Sequence, residues 1–197
     1  NQLKNLLVTA PAPLRESITG TTTQLVATCA RLRPGTHLSD PSTATKTALR
    51  VLARRYQHLS EEITGFDKQL AALTKTTAPE LVAIHGVGPE TAAQLLITAG
   101  DNPDRLRGEA AFAHLCGTAP IPASSGQTRR QRLNRGGDRQ ANRALYTIAL
   151  TRLATCPRTK AYRDRRREQG LTNKEIIRCL KRYIAREIHH ALTVDKP

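Results

Sequence analysis

The sequence has no methionine and no tryptophan, and only four tyrosines and two phenylalanines in 197 residues. With aromatics at 3% and hydrophobic residues at 39%, a core must be assembled from Leu, Ile, Val and Ala, a set that favours helices. No apolar run reaches membrane-spanning length and no signal peptide is visible, which predicts no membrane partner. Cys29, Cys116, Cys156 and Cys179 lie far apart and include no CxxC. The six histidines share no ligand spacing with them, which excludes an ordinary zinc site and leaves the thiols as small core residues in a reducing cytosol. Acidic residues are scarce, 16 against 31 basic ones, for a net charge of +15. Clustered positive charge of that size predicts a polyanionic partner, because neutralising phosphates releases counterions. The sequence starts at Asn1 and holds no Met, so the expectation is a fragment or trimmed product of a longer protein.

What is present is helical punctuation. There is no convincing strand signal, internal repeat or low-complexity tract, so the expected fold is all-α. Residues 1–33 read as helical, with Leu14, Ile18, Leu25, Cys29 and Leu32 near one face and Pro34-Gly35 as the stop. Asp40-Pro41 looks like a helix start. Beyond it, Leu49, Leu52, Tyr56, Leu59, Ile63, Phe66, Leu70 and Leu73 alternate steps of three and four, which is heptad spacing. Gly65 marks a soft point in that stretch. One such helix cannot bury its stripe alone; it folds back on residues 1–33 as a hairpin or pairs with another chain. The expected division is a coiled-coil segment at 1–77 and a second helical domain at 78–197.

In the second domain, "PELVAIHGVGPETAAQLLITAG", residues 79–100, has the form helix, Gly-Val-Gly turn, helix. Gly86 and Gly88 permit positive φ and close backbone approach, and Pro89 suits a first helical turn. The pattern resembles a helix-hairpin-helix, in which hairpin amides face a phosphate; a tight turn between two core helices is the other reading. "DNPDRL" and "EAAFAHLCG" read as short helices, the latter stopped by Gly117. Asp138 looks like the N-cap of a helix ending before Pro157, "RTKAYRDRRREQG" like a basic helix closed by Gly170, and Thr172 to Glu175 like a capping box. The last helix should bury Ile176, Ile177, Leu180, Tyr183, Ile184 and Ile188.

Chemistry points to "APIPASSGQTRRQRLNRGGDRQ", residues 119–140, where Ser124 and Ser125 lie on a stiff turn before Arg129, Arg130, Arg132 and Arg135. Serine is a poor nucleophile unless its surroundings activate it. Attack on a phosphodiester builds charge on phosphoryl oxygens, which arginine's fork matches and steadies. A serine that displaces a sugar oxygen swaps one phosphoester for another, so strands could be cut and rejoined without ATP. The plainer alternative is a turn whose serines are solvated and whose arginines only grip phosphates. His114 and Asp138 are the nearest candidate bases. Tyr146, read as a core residue, and Tyr162, in the basic helix, are rival nucleophiles.

The ordered set "IHGVGPETAAQLL", "AGDNPDRL", "AAFAHLCGTAPIPASSGQTRRQRLNRGGDRQANRALYTI" and "KEIIRCLKRYIARE" resembles the transposases of the insertion-sequence one-ten family, recombinases guided by a bridge RNA, across essentially all of residues 1–192. The resemblance implies a RuvC-like N-terminal domain with four acidic ligands for Mg2+, then a coiled coil matching residues 49–73, then a helical transposase domain with a catalytic serine matching 79–192. It implies a covalent serine intermediate with DNA, formed across subunits of a dimer or tetramer in the bacterial cytoplasm, at the nucleoid. It points to Ser125, with Ser124 in reserve, and to a DNA- or guide-RNA-facing set of Gly86, Gly88, Arg129, Arg130, Arg132, Arg135, Arg139 and Arg143. These residues contain no counterpart of the RuvC-like domain; Asp101, Asp104 and Asp138 read as caps. The chain on its own is therefore expected to be inactive. A non-catalytic nucleic-acid-binding and oligomerisation module remains the alternative.

Overall fold

The computed structural model of the protein describes residues 1–101, 106–123, 127 and 131–194. They are almost entirely helical and form two compact units, Asn1–Phe66 and Asp67–Pro197.

The first unit opens with α1 (Gln2–Val8), α2 (Ala12–Ser17) and α3 (Thr22–Ala30), three short helices where a single one was expected. Proline explains the break before α2: Pro11 is its N-cap and Pro13 occupies its first turn. Thr21 and Gln24 form a reciprocal capping box that starts α3 afresh. These helices bury Leu7, Leu14, Ile18, Leu25 and Cys29 against Leu49 and Ala53 of α4 (Pro41–Thr77). Asp40 caps α4, its Oδ2 accepting from the Thr43 amide at 2.8 Å. The fold-back therefore covers the start of the heptad stripe. Tyr56, Leu59, Ile63 and Phe66 remain exposed at 45–61%.

The second unit contains α5 (Pro79–Ala83), α6 (Pro89–Ala99), α7 (Glu109–Leu115), α8 (Arg139–Thr155), α9 (Pro157–Glu168) and α10 (Asn173–Val194). The core lies among α6, α7, α8 and α10 and includes fully buried Leu95, Phe112, Leu145, Ile148, Ile184 and Ile188. Each such side chain contributes about 1.5–3 kcal/mol by leaving water. Local signals mark the boundaries as the sequence predicts. Gly117 and Gly170 take positive φ, 63° and 83°, after α7 and α9. Thr172 and Glu175 form the capping box of α10. On α10, Tyr183 departs from expectation: it is 49% exposed, at the edge of the apolar stripe.

The all-α expectation holds with one local exception. Ile121–Pro122 (β1) pairs antiparallel with Gln131–Arg132 (β2), Ile121 opposite Arg132 and Pro122 opposite Gln131. A two-residue strand leaves no period-two pattern to read. The expected "DNPDRL" helix lies mostly outside the described residues.

Candidate functional site

The strand pair frames the serine loop: β1 leads into residues 123–130 and β2 leads out. Ser124, Ser125, Arg129 and Arg130 lie outside the described residues, whereas both feet of the loop are described. The incoming foot leaves α7 through Gly117. Thr118 and Ala119 donate their amides to the carbonyl of Ala113 at 2.8 and 3.1 Å. Asn142 of α8 donates its Nδ2 to the carbonyls of Cys116 and Gly117 at 2.8 and 3.1 Å. The outgoing foot returns over the same turn. Asn134 Nδ2 donates to the carbonyl of His114 at 3.3 Å, and the Asp138 amide donates to that of Leu115 at 2.7 Å. Gly137 passes so close to Gly117 that a Cβ there would run into the Gly117 backbone.

A partly buried polar chain supports this junction, with Thr98 and Lys181 buried and Asp138 and Asn142 half-buried. Asp138 Oδ1 accepts from the amides of Gln140 and Ala141, capping α8, while its Oδ2 accepts from Thr98 Oγ1 of α6 at 2.8 Å. Asn142 Oδ1 accepts from Lys181 Nζ of α10 at 2.8 Å. Lys181 is 7% exposed, and burial, with Arg178 nearby, lowers its pKa from the ordinary lysine value. Burial and the Asp138 charge push the Cys116 thiol beneath the turn up to about 12. Thr98, Asn142 and Lys181 are not singled out by any motif in the sequence. A lysine within the apolar stripe of α10, four residues after Ile177 and three before Ile184, was the available signal.

The arginines after the loop divide over two elements. Arg132 is on β2, Arg135 is in the loop that follows, and Arg139 and Arg143 lie one turn apart on α8. Arg132, Arg135, Arg139 and Arg143 are all exposed; none of the four forms an ion pair among the described residues. The two nearest candidate bases are differently employed: Asp138 is a cap, and His114 is exposed near the C-terminal end of α7. Among the described residues no three His, Cys, Asp or Glu side chains gather into a metal-holding group.

The Gly-Val-Gly turn joins α5 to α6 and packs on α8. Gly86 has φ 85°, and a Cβ there would crowd Arg152 Cγ at 3.2 Å and the Ile148 carbonyl at 3.4 Å. Arg152 Nε also donates to the His85 carbonyl at 2.7 Å. Gly88 does not use the positive φ that it permits. Its φ is −97°, extended, a Cβ would meet nothing within 4 Å, and its amide is held by Thr91 Oγ1 at 3.0 Å.

The rival nucleophiles fare differently. Tyr146 is 43% exposed, not a core residue. Tyr162 stands edge-on to Tyr183, ring centroids 5.8 Å apart, with Arg165 5.6 Å from its ring. Burial and then the neighbouring Cys179 push its phenol up to about 12, the opposite of the activation a nucleophile requires. The cysteines also divide: Cys29 and Cys116 are fully buried, but Cys156 and Cys179 are only half-buried.

Comparison with known proteins gives this geometry its relatives. Residues 78–164 match the family described as transposase IS116/IS110/IS902. The chain is 33% identical over 134 residues to an uncharacterised 43.6 kDa protein of insertion element IS110 in Streptomyces coelicolor, covering 66% of this chain and 33% of that protein. It is 27% identical over 139 residues to an uncharacterised 42 kDa protein of insertion element IS900 in Mycobacterium paratuberculosis, covering 69% of this chain and 35% of that one. The chain thus spans about a third of the length of the curated relatives it matches.

Proposed function

We infer that this chain, which belongs to the IS116/IS110/IS902 transposase family through residues 78–164, supplies the serine-bearing part of an enzyme that cuts and exchanges DNA strands. The observation that carries this reading is the rigid frame around residues 123–130. Both feet of the loop are held on one glycine turn by Asn142, Asn134 and the Asp138 amide, and Arg132, Arg135, Arg139 and Arg143 follow. A loop that only joined two helices would not need its ends fixed this closely. A loop presenting a reacting hydroxyl would, because misplacement by about 1 Å can cost a hundredfold in rate.

In the proposed step the Ser125 hydroxyl, or that of Ser124, attacks a DNA phosphorus. A serine Oγ–phosphorus bond forms and a phosphorus–oxygen bond to one sugar breaks. The serine proton leaves to solvent, and the departing sugar oxygen takes up a proton. The arginine run steadies the transient phosphoryl charge. Attack by the freed hydroxyl of another strand would reverse the chemistry and restore the serine.

Guide RNA, Mg2+ and the oligomer belong to the same proposal. The basic surface from Arg132 to Arg143 suits a nucleic-acid backbone of either kind. The described carboxylates do not form a metal group, so Mg2+ is assigned to a RuvC-like domain outside these residues and no step is routed through it here. The exposed stripe Tyr56 to Phe66 suits pairing between copies. The turn at Gly86–Gly88 is proposed to present the start of α6 to a phosphate, as in a helix-hairpin-helix. Cytoplasmic, nucleoid-associated work fits these partners, and no described helix is long and apolar enough to cross a membrane.

The test uses the full-length protein with its RNA and donor and target DNA. Ser125→Ala should abolish recombination and any covalent protein–DNA adduct seen by mass spectrometry, while leaving DNA and RNA binding unchanged. If Ser124→Ala does this instead, the nucleophile moves by one residue. If both variants recombine normally, the non-catalytic binding module replaces the serine reading.

A further inference from the structure

A second feature lies outside the serine loop. Between α5, the end of α8, α9 and α10 runs a groove of about 960 Å³, within the 300–1,000 Å³ typical of ligand sites. Its floor is apolar, formed by Ile84, Leu180 and Ile184. Tyr162 and Tyr183 line it, in edge-to-face contact with each other. This chain has six aromatic residues in all, so two in one groove is a concentration, and Tyr183 is 49% exposed although it lies on a core helix. Arg158 and Arg165 flank the rings from α9, and neither forms an ion pair among the described residues.

We propose that this groove is a single-strand site that takes an unpaired nucleotide, the base against Tyr183 and Tyr162 and the adjoining phosphates on Arg158 and Arg165. Charge selects the class of partner. Six of the twelve residues of α9 are basic and two are acidic. Of the two carboxylates lining the groove, Glu187 is already paired with Arg152 at 2.7 Å, leaving Glu80 on the opposite, α5 side. Aromatic geometry selects the strand state. Bases in a duplex are stacked on one another and cannot reach a ring inside a groove, whereas a splayed base can stack there whatever its identity. The inference shares with the functional reading only the expectation of a nucleic-acid partner, and it does not depend on the chemistry of the serine.

The test measures binding, not strand transfer. Fluorescence anisotropy with a labelled single-stranded oligothymidine and a duplex of equal length, at matched salt, gives the two affinities. Tyr183→Ala should weaken the single strand about tenfold, a stacking loss of the expected size, and leave the duplex within about twofold. Arg158→Gln and Arg165→Gln should each reduce the salt slope of single-strand binding by about one. An oligonucleotide carrying 5-iodouracil should crosslink to peptides containing Tyr162 or Tyr183. Equal losses for both ligands, no loss for either, or crosslinks confined to residues 132–143 would overturn the proposal. If Tyr183→Ala lowers the melting temperature, Tyr183→Phe, which keeps the ring, should bind as the parent does, and the crosslink map decides with the unaltered protein.

Discussion

Lys181 of α10 donates its buried ammonium to Oδ1 of Asn142 on α8 at 2.8 Å, and the same asparagine holds the Cys116 and Gly117 carbonyls through its Nδ2. One side chain thus ties the last helix to the turn from which the serine loop departs. Asn142→Leu would leave the ammonium and two carbonyls without these bonds and should destabilise the fold by on the order of 3 kcal/mol in urea unfolding. Lys181→Met, which removes the charge itself, should cost less, and in the double variant it should recover part of the Asn142→Leu loss. Additive losses would show that the pair is not coupled.

The same lysine predicts a pH dependence. Burial lowers its folded-state pKa below the ordinary 10.5, so the unfolded chain holds the proton more tightly. The cost of burying the charge is therefore full at neutral pH and lifts as pH rises through the folded pKa toward 10.5. Wild type should gain melting temperature relative to Lys181→Met across that window. A constant difference would place the ammonium in water.

The two glycines of the α5–α6 turn separate structure from binding. Gly86→Ala introduces strain at φ 85° and crowds Arg152 and Ile148, for an expected loss of about 1–3 kcal/mol. Gly88→Ala, at φ −97° with open space, should melt within about 0.5 kcal/mol of wild type. Weaker phosphate binding in Gly88→Ala, with melting unchanged, would support an approach of phosphate there; intact binding would leave the turn a purely structural one.

Charge after the serine loop should be read out as salt dependence. Replacing Arg132, Arg135 and Arg139 with Gln should weaken nucleic-acid binding and lower the slope of log affinity against log salt by about one for each phosphate no longer neutralised. A parallel line at lower affinity would mean these guanidinium groups do not touch phosphates.

Leu59 and Ile63 are exposed at 45% and 60% on α4. Leu59→Asp and Ile63→Asp should therefore leave monomer stability nearly unchanged while dissociating any oligomer in sedimentation. A dimer that survives both changes would remove this stripe as the pairing surface.

Local chemistry was legible where a structural decision is made within a few residues. Asp40, Asp138 and the Thr172–Glu175 pair cap their helices as their spacing predicts, and Gly117 and Gly170 stop theirs. The split of residues 1–33 was also written locally, in Pro11, Pro13 and Thr21, but the apolar face running through them masked it. The strand pair around the loop was too short to show a period.

Composition and periodicity by themselves determined the helical class, the basic character and most helix boundaries, since these depend on backbone bonds three or four residues apart and on summed charge. Tertiary packing alone decided that Leu49 is covered and Ile63 is not, that Gly117 and Gly137 touch, and that Lys181 is buried beside Asn142. The last of these joins positions 39 residues apart. Whether a side chain on a helical stripe meets protein or water depends on which distant segment arrives to cover it, and no repeat within the helix encodes that arrival.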